Sequence, residues 1–582
     1  MEYSPRICLL LLLKILSASS NQFLVKPNII VFMVDNMGWN DVGFHGSNEI
    51  PTPNIDALAY NGIILNRHYV LPSCTPSRAA FFSGKYPIRM GLQGGDLRGN
   101  DPRGLPLGIR ILPSYLRDRG YATRLLGKWH LGYPIREFTP LYRGFDSFLG
   151  FYNGNIDNYN YYHRDGNLTG FDLQRGEGPA YDIHDTYVTR VFTDEAIKII
   201  DHHDITRPLY LHINHAGFRP PLDPPHDSYR YNNFSYLHGD RRKYAMMVSE
   251  IDRSIGRIVS ALGDHGMLTD SIIVFLTDTG APTNEGEANT GSNWPLRGGK
   301  DTLYEGGVRG VAAIWSPRIN KPALVSNNLM HMTDWLPTLY SASGGDISDL
   351  GKIDGIDQWN HLSRDHKAPR ESLLINCDER KKTEAAIHQR YKLIHGYSTL
   401  AHDHHYFGSS GKNRNVPPYN HSLVSSSAFV MAIHSHVGHP VTPQSRMAQI
   451  REEARILSCM NTELFKINGT NPCVGETECL FDIFFDPCEI HNIASHNPKI
   501  VLKLNSILER YEREIVMQAD IPQDLNADPH RYNNTWGSWV RDKPYDHPYY
   551  SFNSSAATVI STLAVCAHIG MVLLIVGLRT FI

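Results

Sequence analysis

The chain has 582 residues, 41% of them hydrophobic, and a formal net charge of -3. That length buries at least one large core and accommodates two unequal domains. The balanced charge and the lack of a long basic run remove the electrostatic footprint that a nucleic-acid partner requires.

Arg6 precedes an apolar stretch, Ile7–Leu16, interrupted only by Lys14, and Ser17-Ala18-Ser19-Ser20 offers a small-residue cleavage site. The pattern predicts a signal peptide over residues 1–20, with a membrane-anchoring start as the alternative. Asn28–Val34 is a continuous apolar run rich in β-branched residues, as a strand covered on both faces requires. It stops at Asp35-Asn36. Cys74-Thr75-Pro76-Ser77-Arg78 comes next, inside the segment Tyr69–Pro87. Proline suits a first helical turn and Ser77–Phe82 continues with helix formers, so a helix is predicted from about Pro76. Cys74 then lies at a helix N-terminus, where partial positive charge and open N–H groups favour an anion. Taken alone, a free or disulfide-bonded cysteine in a turn fits the same residues.

Ile111–Gly120 predicts a helix with a glycine stop, and Tyr121–His130 a strand running into a loop. If extended backbone reaches His130, Lys128 and His130 project to one side and form a receptor for a tetrahedral anion. As an isolated pair they equally fit solvated surface residues. Pro208–Gly217 is another apolar strand, with His215 near its end. Tyr244–Leu262 places Met247, Ile251, Ile255 and Ile258 on one helical face, which is ordinary core amphipathicity. Ser271–Thr277 is a second buried strand, and it stops at Asp278-Thr279. Each acid alone fits a turn or helix cap. Two strands that both end in acids point to one α/β sheet with carboxylates at its C-terminal edge, and the pair fits a hard cation. In Asn293–Gly310 the glycines permit turns that bring Lys300 over a pocket.

His331–Leu339 resembles a helix that in a known family closes the first domain. Beyond about residue 370, Ala385–His388 and Tyr391–Gly396 predict a smaller antiparallel sheet. Tyr397–Gln449, rich in His, Ser, Asn and Pro, predicts a long surface insertion. Cys479–Asn492 resembles the C-terminal strand and turn of a known family, and a helix is expected over Pro498–Met517. Ala556–Leu578 is almost wholly apolar or small, long enough to span the ~30 Å of a bilayer core as a transmembrane helix. The small residues Asn553–Ala557 also permit a cleaved GPI-anchor signal, and the two readings stay open. Sequons at Asn167, Asn233, Asn420, Asn468, Asn533 and Asn553 are possible glycosylation sites of a lumenal chain. Cys377, Cys459, Cys473, Cys479 and Cys488 share that oxidising compartment, an odd number whose pairing the sequence leaves open.

Cys74-Thr75-Pro76-Ser77-Arg78 followed by Ser83-Gly84-Lys85-Tyr86 resembles the signature of the sulfatases. Gly127-Lys128-Trp129-His130-Leu131-Gly132 with Arg143-Gly144-Phe145-Asp146 resembles their second motif. Gly38–Gly46 through Asn293–Gly310 resembles the arylsulfatase B branch in particular, and the likeness covers most of residues 27–520. It implies an alkaline phosphatase/sulfatase-like α/β fold: a large mixed β-sheet sandwiched by helices over residues 21–370, and a smaller C-terminal antiparallel-sheet subdomain over 371–550.

The resemblance further implies a sulfuric ester hydrolase acting on a sulfated small molecule or glycan. Cys74 would be oxidised to formylglycine by the formylglycine-generating enzyme, and the hydrated aldehyde would attack sulfur. One Ca2+ ion would be held by Asp35, Asn36, Asp278, Thr279 and the group made from Cys74. Lys128, His130 and Lys300 would bind sulfate oxygens, Arg78 would support the nucleophile, and His215 would assist the leaving oxygen. The protein would reside in the secretory pathway, lysosomal or extracellular, with membrane attachment through its tail.

Two departures stand out. The family's usual Asp-Asp and Asp-Asn metal pairs are here Asp35-Asn36 and Asp278-Thr279, and calcium affinity falls with ligand charge. The usual His-x-Pro continuation is replaced after His215 by Ala216-Gly217-Phe218-Arg219. Hence two expectations: a working sulfatase, or a catalytically weak or inactive sulfatase-like protein that binds sulfated glycans in the same pocket.

Overall fold

The computed structural model describes residues 26–540 apart from 219, 229–233, 284–289, 397–407, 409, 411–414, 439, 458–472 and 474–477. The predicted signal segment and apolar tail, and Asn233, Asn468, Asn553 and Cys459, lie outside the described residues. Among the described residues no helix is long and apolar enough to cross a membrane.

The chain opens with strand β1 (Asn28–Val34), helix α1 (Pro53–Asn61), β2 (Ile63–Leu65) and α2 (Cys74–Ser83). Next come α3 (Leu112–Asp118), β3 (Ala122–Lys128), β4 (Ser147–Phe151) and two short strands, β5 (Gln174–Arg175) and β6 (Gly178–Pro179). The first domain continues through α4 (Val188–Asp201), β7 (Leu209–His215), α5 (Gly239–Asp264), β8 (Ser271–Thr277), β9 (Ala312–Trp315), β10 (Leu324–Ser326) and α6 (Trp335–Ala342).

These strands make one sheet in the order β10-β2-β9-β8-β1-β7-β3-β4-β5-β6. Its centre, β8-β1-β7-β3-β4, is parallel, and antiparallel strands flank it on both sides. β1 shows why the centre is apolar throughout. Ile30, Phe32 and Val34 pack on one face with α1, α4 and α5, while Ile29, Val31 and Met33 pack on the other with α2, α3 and α6. Each such fully buried side chain contributes roughly 1.5–3 kcal/mol of burial free energy.

The register of the central strands places the chemistry. Val34 of β1 lies beside Thr277 of β8 and beside His215 of β7, so Asp35, Asp278 and Ala216 leave the sheet at one level. Asn214 pairs with Gly127 of β3, and Lys128 follows at the same edge.

Past residue 370 the chain forms a four-stranded antiparallel sheet of β11 (Ser372–Asp378), β12 (Thr383–His388), β13 (Tyr391–His395) and β14 (Glu478–Asp482). Between β13 and β14 the described residues hold α7 (His421–Ser425), α8 (Ala428–His436) and α9 (Gln444–Ala454), and α10 (Pro498–Glu512) follows β14. The stretch expected as a surface insertion is therefore partly core. Phe429, Ile433, Met447 and Ile450 are buried in the cluster under the large sheet. The polar residues between them masked their helical spacing.

The second sheet also supports the first domain. Asn376 Nδ2 donates to Gln93 O at 3.1 Å, and Gln93 Nε2 donates to Glu379 Oε2 at 2.8 Å. Gln518 Nε2 donates to Asp378 Oδ1 at 3.0 Å and Glu379 Oε2 at 3.1 Å. The loop ending at Asp96 thus rests on chain made 286 and 423 residues after Gln93.

The cysteines divide. Cys473 and Cys479 form a disulfide, Cys488 is disulfide-bonded, and Cys377 and Cys74 are free and buried. Asn167, Asn420 and Asn533 are exposed.

Candidate active site

Helix α2 begins at Cys74 itself, two residues before the expected start, with Ser73 as its extended N-cap. The turn before it is clamped by Ser77, whose Oγ accepts from Leu71 N at 2.8 Å. This aims the first turn of α2 at the sheet edge and buries Cys74 completely. Its thiol lies 3.0 Å from Asp35 Oδ1 and 3.6 Å from Asn36 Oδ1. Burial first, then the charges of Asp278 and Asp35, push that thiol well above its ordinary value. As a thiol, Cys74 is held protonated.

Two acids and two cations surround it, all inaccessible to solvent. Lys128 Nζ is 2.7 Å from Asp35 Oδ1, and Arg78 reaches Asp278 Oδ2 through Nε at 3.0 Å and Nη2 at 2.8 Å. Arg78 also donates to Lys128 O at 3.2 Å, which ties β3 to α2. Burial and the neighbouring Asp35 push the Asp278 carboxyl up, against the pull of Arg78. Asn36 adopts a left-handed backbone at φ 59° and donates its N–H to Asp278 Oδ1 at 3.3 Å. Thr279 Oγ1 donates to Asn36 Oδ1 at 2.9 Å.

The donors offered by Asp35, Asn36, Asp278 and Thr279 are all oxygens, the kind a hard divalent cation takes. Ligand atoms of Asp35, Cys74 and Asp278 lie within 4.8 Å of one another. Gly217 keeps that space open, because a Cβ there would fall 2.2 Å from Asp35 Oδ2. The residues present therefore fit such an ion.

On its other side Cys74 meets a second group. Ligand atoms of Cys74, Asp96 and His130 also lie within 4.8 Å of one another. Lys300 Nζ sits 3.2 Å from Asp96 Oδ2, and Thr75 N donates to Asp96 Oδ1 at 2.9 Å. Burial works to raise the Asp96 carboxyl, yet the charges of Lys300 and Lys128 and the Thr75 N–H hold it well below the usual range. Burial, with Lys128 adding to it, pushes His130 well below its ordinary value, so its imidazole is neutral. Lys300 is positioned by its loop. Asn293 bridges that loop, accepting from Ala281 N at 2.9 Å and donating to Ala281 O at 2.9 Å, while Lys300 N bonds Ala281 O at 3.2 Å.

Lys128 and His130 reach the site differently from the two-residue alternation expected. The strand ends at Lys128, and His130 turns back at φ 56° with Nε2 3.0 Å from Leu97 O. Gly127 permits the crossing at φ 89°, because a Cβ there would fall 1.8 Å from Asn214 O.

His215 sits elsewhere. It is buried with Nε2 3.3 Å from Ser254 Oγ on α5, and no hydrogen bond among the described residues joins it to the acids and cations around Cys74. Burial holds its imidazole down at about 3.

Sequence reasoning passed over two features. Asp96, in Gly94-Gly95-Asp96, carried no signal beyond that of a turn residue. The relay Tyr210–His212–Asn214 lies on alternate positions of β7: Tyr210 OH is 2.8 Å from His212 Nδ1, His212 Nε2 is 2.8 Å from Asn214 Oδ1, and Asn214 Nδ2 donates to Lys128 O at 2.7 Å. Polar residues at period two inside an apolar strand are the signal that would have found it.

Comparison with known proteins fits this geometry. Residues 27–345 match the family model described as Sulfatase. The chain is 33% identical over 526 residues to arylsulfatase J of Mus musculus, covering 89% of this chain and 81% of that one. It is 32% identical over 377 residues to arylsulfatase A of Homo sapiens, covering 60% and 70%. Among solved structures, Ps i-CgsB superposes with a TM-score of 0.65 at 23% identity, covering 85% of this chain and 94% of that one. The fold is thus the alkaline phosphatase-like one, and the chain belongs to the sulfatase family of sulfuric ester hydrolases.

Proposed function

We propose that this enzyme removes sulfate from sulfated glycans, using a formylglycine made from Cys74 and a calcium ion beside it, as an arylsulfatase of the B-like branch. The observation that carries the reading is the place of Cys74 between the carboxylates of Asp35 and Asp278, paired with Lys128 and Arg78, and the Asp96–His130 group, paired with Lys300. Relatives named N-acetylgalactosamine-6-sulfatase, such as that of Sus scrofa at 32% identity over 355 residues, support a sulfated amino sugar as substrate. The complex of Ps i-CgsB with a neocarrahexaose supports a glycan-sized ligand.

Asp35, Asn36, Asp278 and Thr279 would hold the calcium ion, which when bound polarises sulfate oxygens. The formylglycine would supply a hydrated aldehyde, whose hydroxyl is the nucleophile. Lys128 and Lys300 bind the sulfate oxygens and stabilise the charge that grows on them as the S–O bond breaks. Arg78 fixes Asp278 and, through Lys128 O, the end of β3. His130 is held at Nε2 by Leu97 O, its Nδ1 has no hydrogen-bond partner among the described residues, and this neutral imidazole beside Cys74 would exchange a proton with the reacting oxygens. The burial of all these groups excludes water from the charges and strengthens their fields.

The test has two readouts. Mass spectrometry of the peptide containing Cys74, from protein secreted by a formylglycine-competent cell, is expected to show it about 18 Da lighter than the cysteine form. A chromogenic aryl sulfate assay is expected to lose activity with chelator and regain it with Ca2+. An unmodified thiol with no turnover would instead make the chain a sulfated-glycan binder, the reading that the paired departures Asn36 and Thr279 favour.

A further inference from the structure

The small sheet carries a polar row at one end. Its register sets Cys377 of β11 opposite Glu384 of β12, Glu384 opposite His395 of β13, and His395 opposite Glu478 of β14. Residues directly opposite across a ladder share one face. Here it is the face covered by α10, where Leu374, Cys377, Leu393 and Leu480 pack against Leu504 and Leu508. An apolar row would continue that packing, yet the chain places a thiol, two carboxylates and an imidazole there. Glu512, in the last turn of α10, closes the row from above.

The row is built as a connected group. Cys377 Sγ is 3.3 Å from Glu384 Oε2, and His395 Nδ1 is 2.7 Å from Glu384 Oε1. His395 Nε2 is a buried atom 3.4 Å from Glu478 Oε1 and lacks hydrogen-bond geometry there. Asn505 Nδ2 holds Glu478 Oε1 from α10 at 3.0 Å. Among the described residues, His395 is the only basic group in ion-pair contact with Glu384, Glu478 or Glu512. Ligand atoms of Cys377, Glu384 and Glu512 lie within 4.8 Å of one another. The Glu384 side chain is only 12% exposed and, among the described residues, has the His395 imidazole as its ion-pair partner, so further positive charge beside it is favourable.

The geometry points to a second metal site, in which Cys377, Glu384 and Glu512 bind a zinc-class divalent ion and fasten β11 and β12 to α10. One thiolate with carboxylates is a borderline-soft donor set, suited to Zn2+ and its analogues Co2+ and Cd2+ rather than to Ca2+. His395 acts behind the ligands, fixing the orientation of Glu384 as imidazoles do around metal carboxylates. Binding releases the thiol proton to solvent, and the ion takes one lone pair from the thiolate and one from each carboxylate. Glu512 is exposed, which opens the fourth position to water.

The experiment uses the full chain carrying Cys74→Ala, which removes the other described free thiol. Titration with Cd2+ is expected to raise a thiolate-to-metal charge-transfer band that saturates at one ion per chain. Cys377→Ser in the same background should abolish the band, and Glu512→Gln, a surface change, should weaken Cd2+ binding by about tenfold or more. Zn2+ should compete for the site and Ca2+ should not. Absence of the band, its persistence in Cys377→Ser, or unchanged affinity in Glu512→Gln would overturn the assignment. Because the readout is a Cys377 thiolate in a chain without Cys74, the result is independent of the sulfatase chemistry.

Discussion

Thr279 donates its hydroxyl to the side-chain oxygen of Asn36 at 2.9 Å, across 243 residues of sequence. The two positions where the metal pairs depart from the sulfatase pattern are therefore partners of one another. An amide oxygen carries less charge than a carboxylate oxygen, and the Thr279 hydroxyl, just past the end of β8, satisfies part of what it offers.

Asn36→Asp puts a formal charge back at this point. Since calcium affinity follows ligand charge, the Ca2+ concentration for half-maximal aryl sulfatase activity should fall by about tenfold. Titration in calcium buffers measures it. An unchanged midpoint would remove Asn36 from the metal site.

Lys128→Met and Lys300→Met should separate stability from catalysis. Lys128 and Asp35 are both inaccessible to solvent, and breaking such a pair costs about 3–5 kcal/mol. Lys300 faces Asp96, whose side chain is 22% exposed, so water can take over its role. Both variants should lose kcat/KM by about 10²–10³. Only Lys128→Met should also show a large drop in melting temperature. Equal drops would contradict this account of the two pairs.

Gly217→Ala tests the space beside Asp35. The added methyl falls 2.2 Å from Asp35 Oδ2, so the carboxylate must move away from the position that Lys128 and Cys74 now share. A displacement of about 1 Å at a reacting centre lowers turnover on the order of 10²-fold. Activity beside circular dichroism reads the effect. Full activity would show that Asp35 Oδ2 has no part in the reaction.

Asp252 offers a pH signature remote from the site. It accepts from Asn54 N, Ile55 N and Asn54 Nδ2 at the start of α1, and burial raises its carboxyl from 3.8 to about 7. The folded chain thus holds a proton that the unfolded chain releases between about pH 4 and 7. The stability it lends is complete below the unfolded value and is lost as pH rises through the folded one. Asp252→Asn lacks this titration, so the melting temperature of the variant relative to the parent should improve from pH 4 to pH 7.5. Parallel curves would show that Asp252 does not titrate in that window.

What could be read from the sequence was what lies in contiguous runs. β1 and β8 announce themselves as apolar segments that stop at Asp35 and Asp278, and the Cys74 motif carries its own helix signal. Their proximity follows from strand register, which apolar runs do not encode residue by residue. Asp96 was invisible because its partners, Lys300 and Thr75, are supplied by other loops. The path to His130 was misread because alternation holds only while the strand lasts, and this one ends two residues earlier. The helices over residues 421–454 were obscured because their apolar positions are separated by histidines and serines that lie on the exposed sides.

The support that the small sheet gives to the Gln93–Asp96 loop sets an order of events during synthesis. Gln93 is secured by Glu379 and by Val516 O, so the wall next to Cys74 cannot settle until the chain is made past residue 516. At roughly 5–20 residues per second, that interval is on the order of tens of seconds. Throughout it, Cys74, which ends with no exposed surface, lacks the finished wall that later covers it.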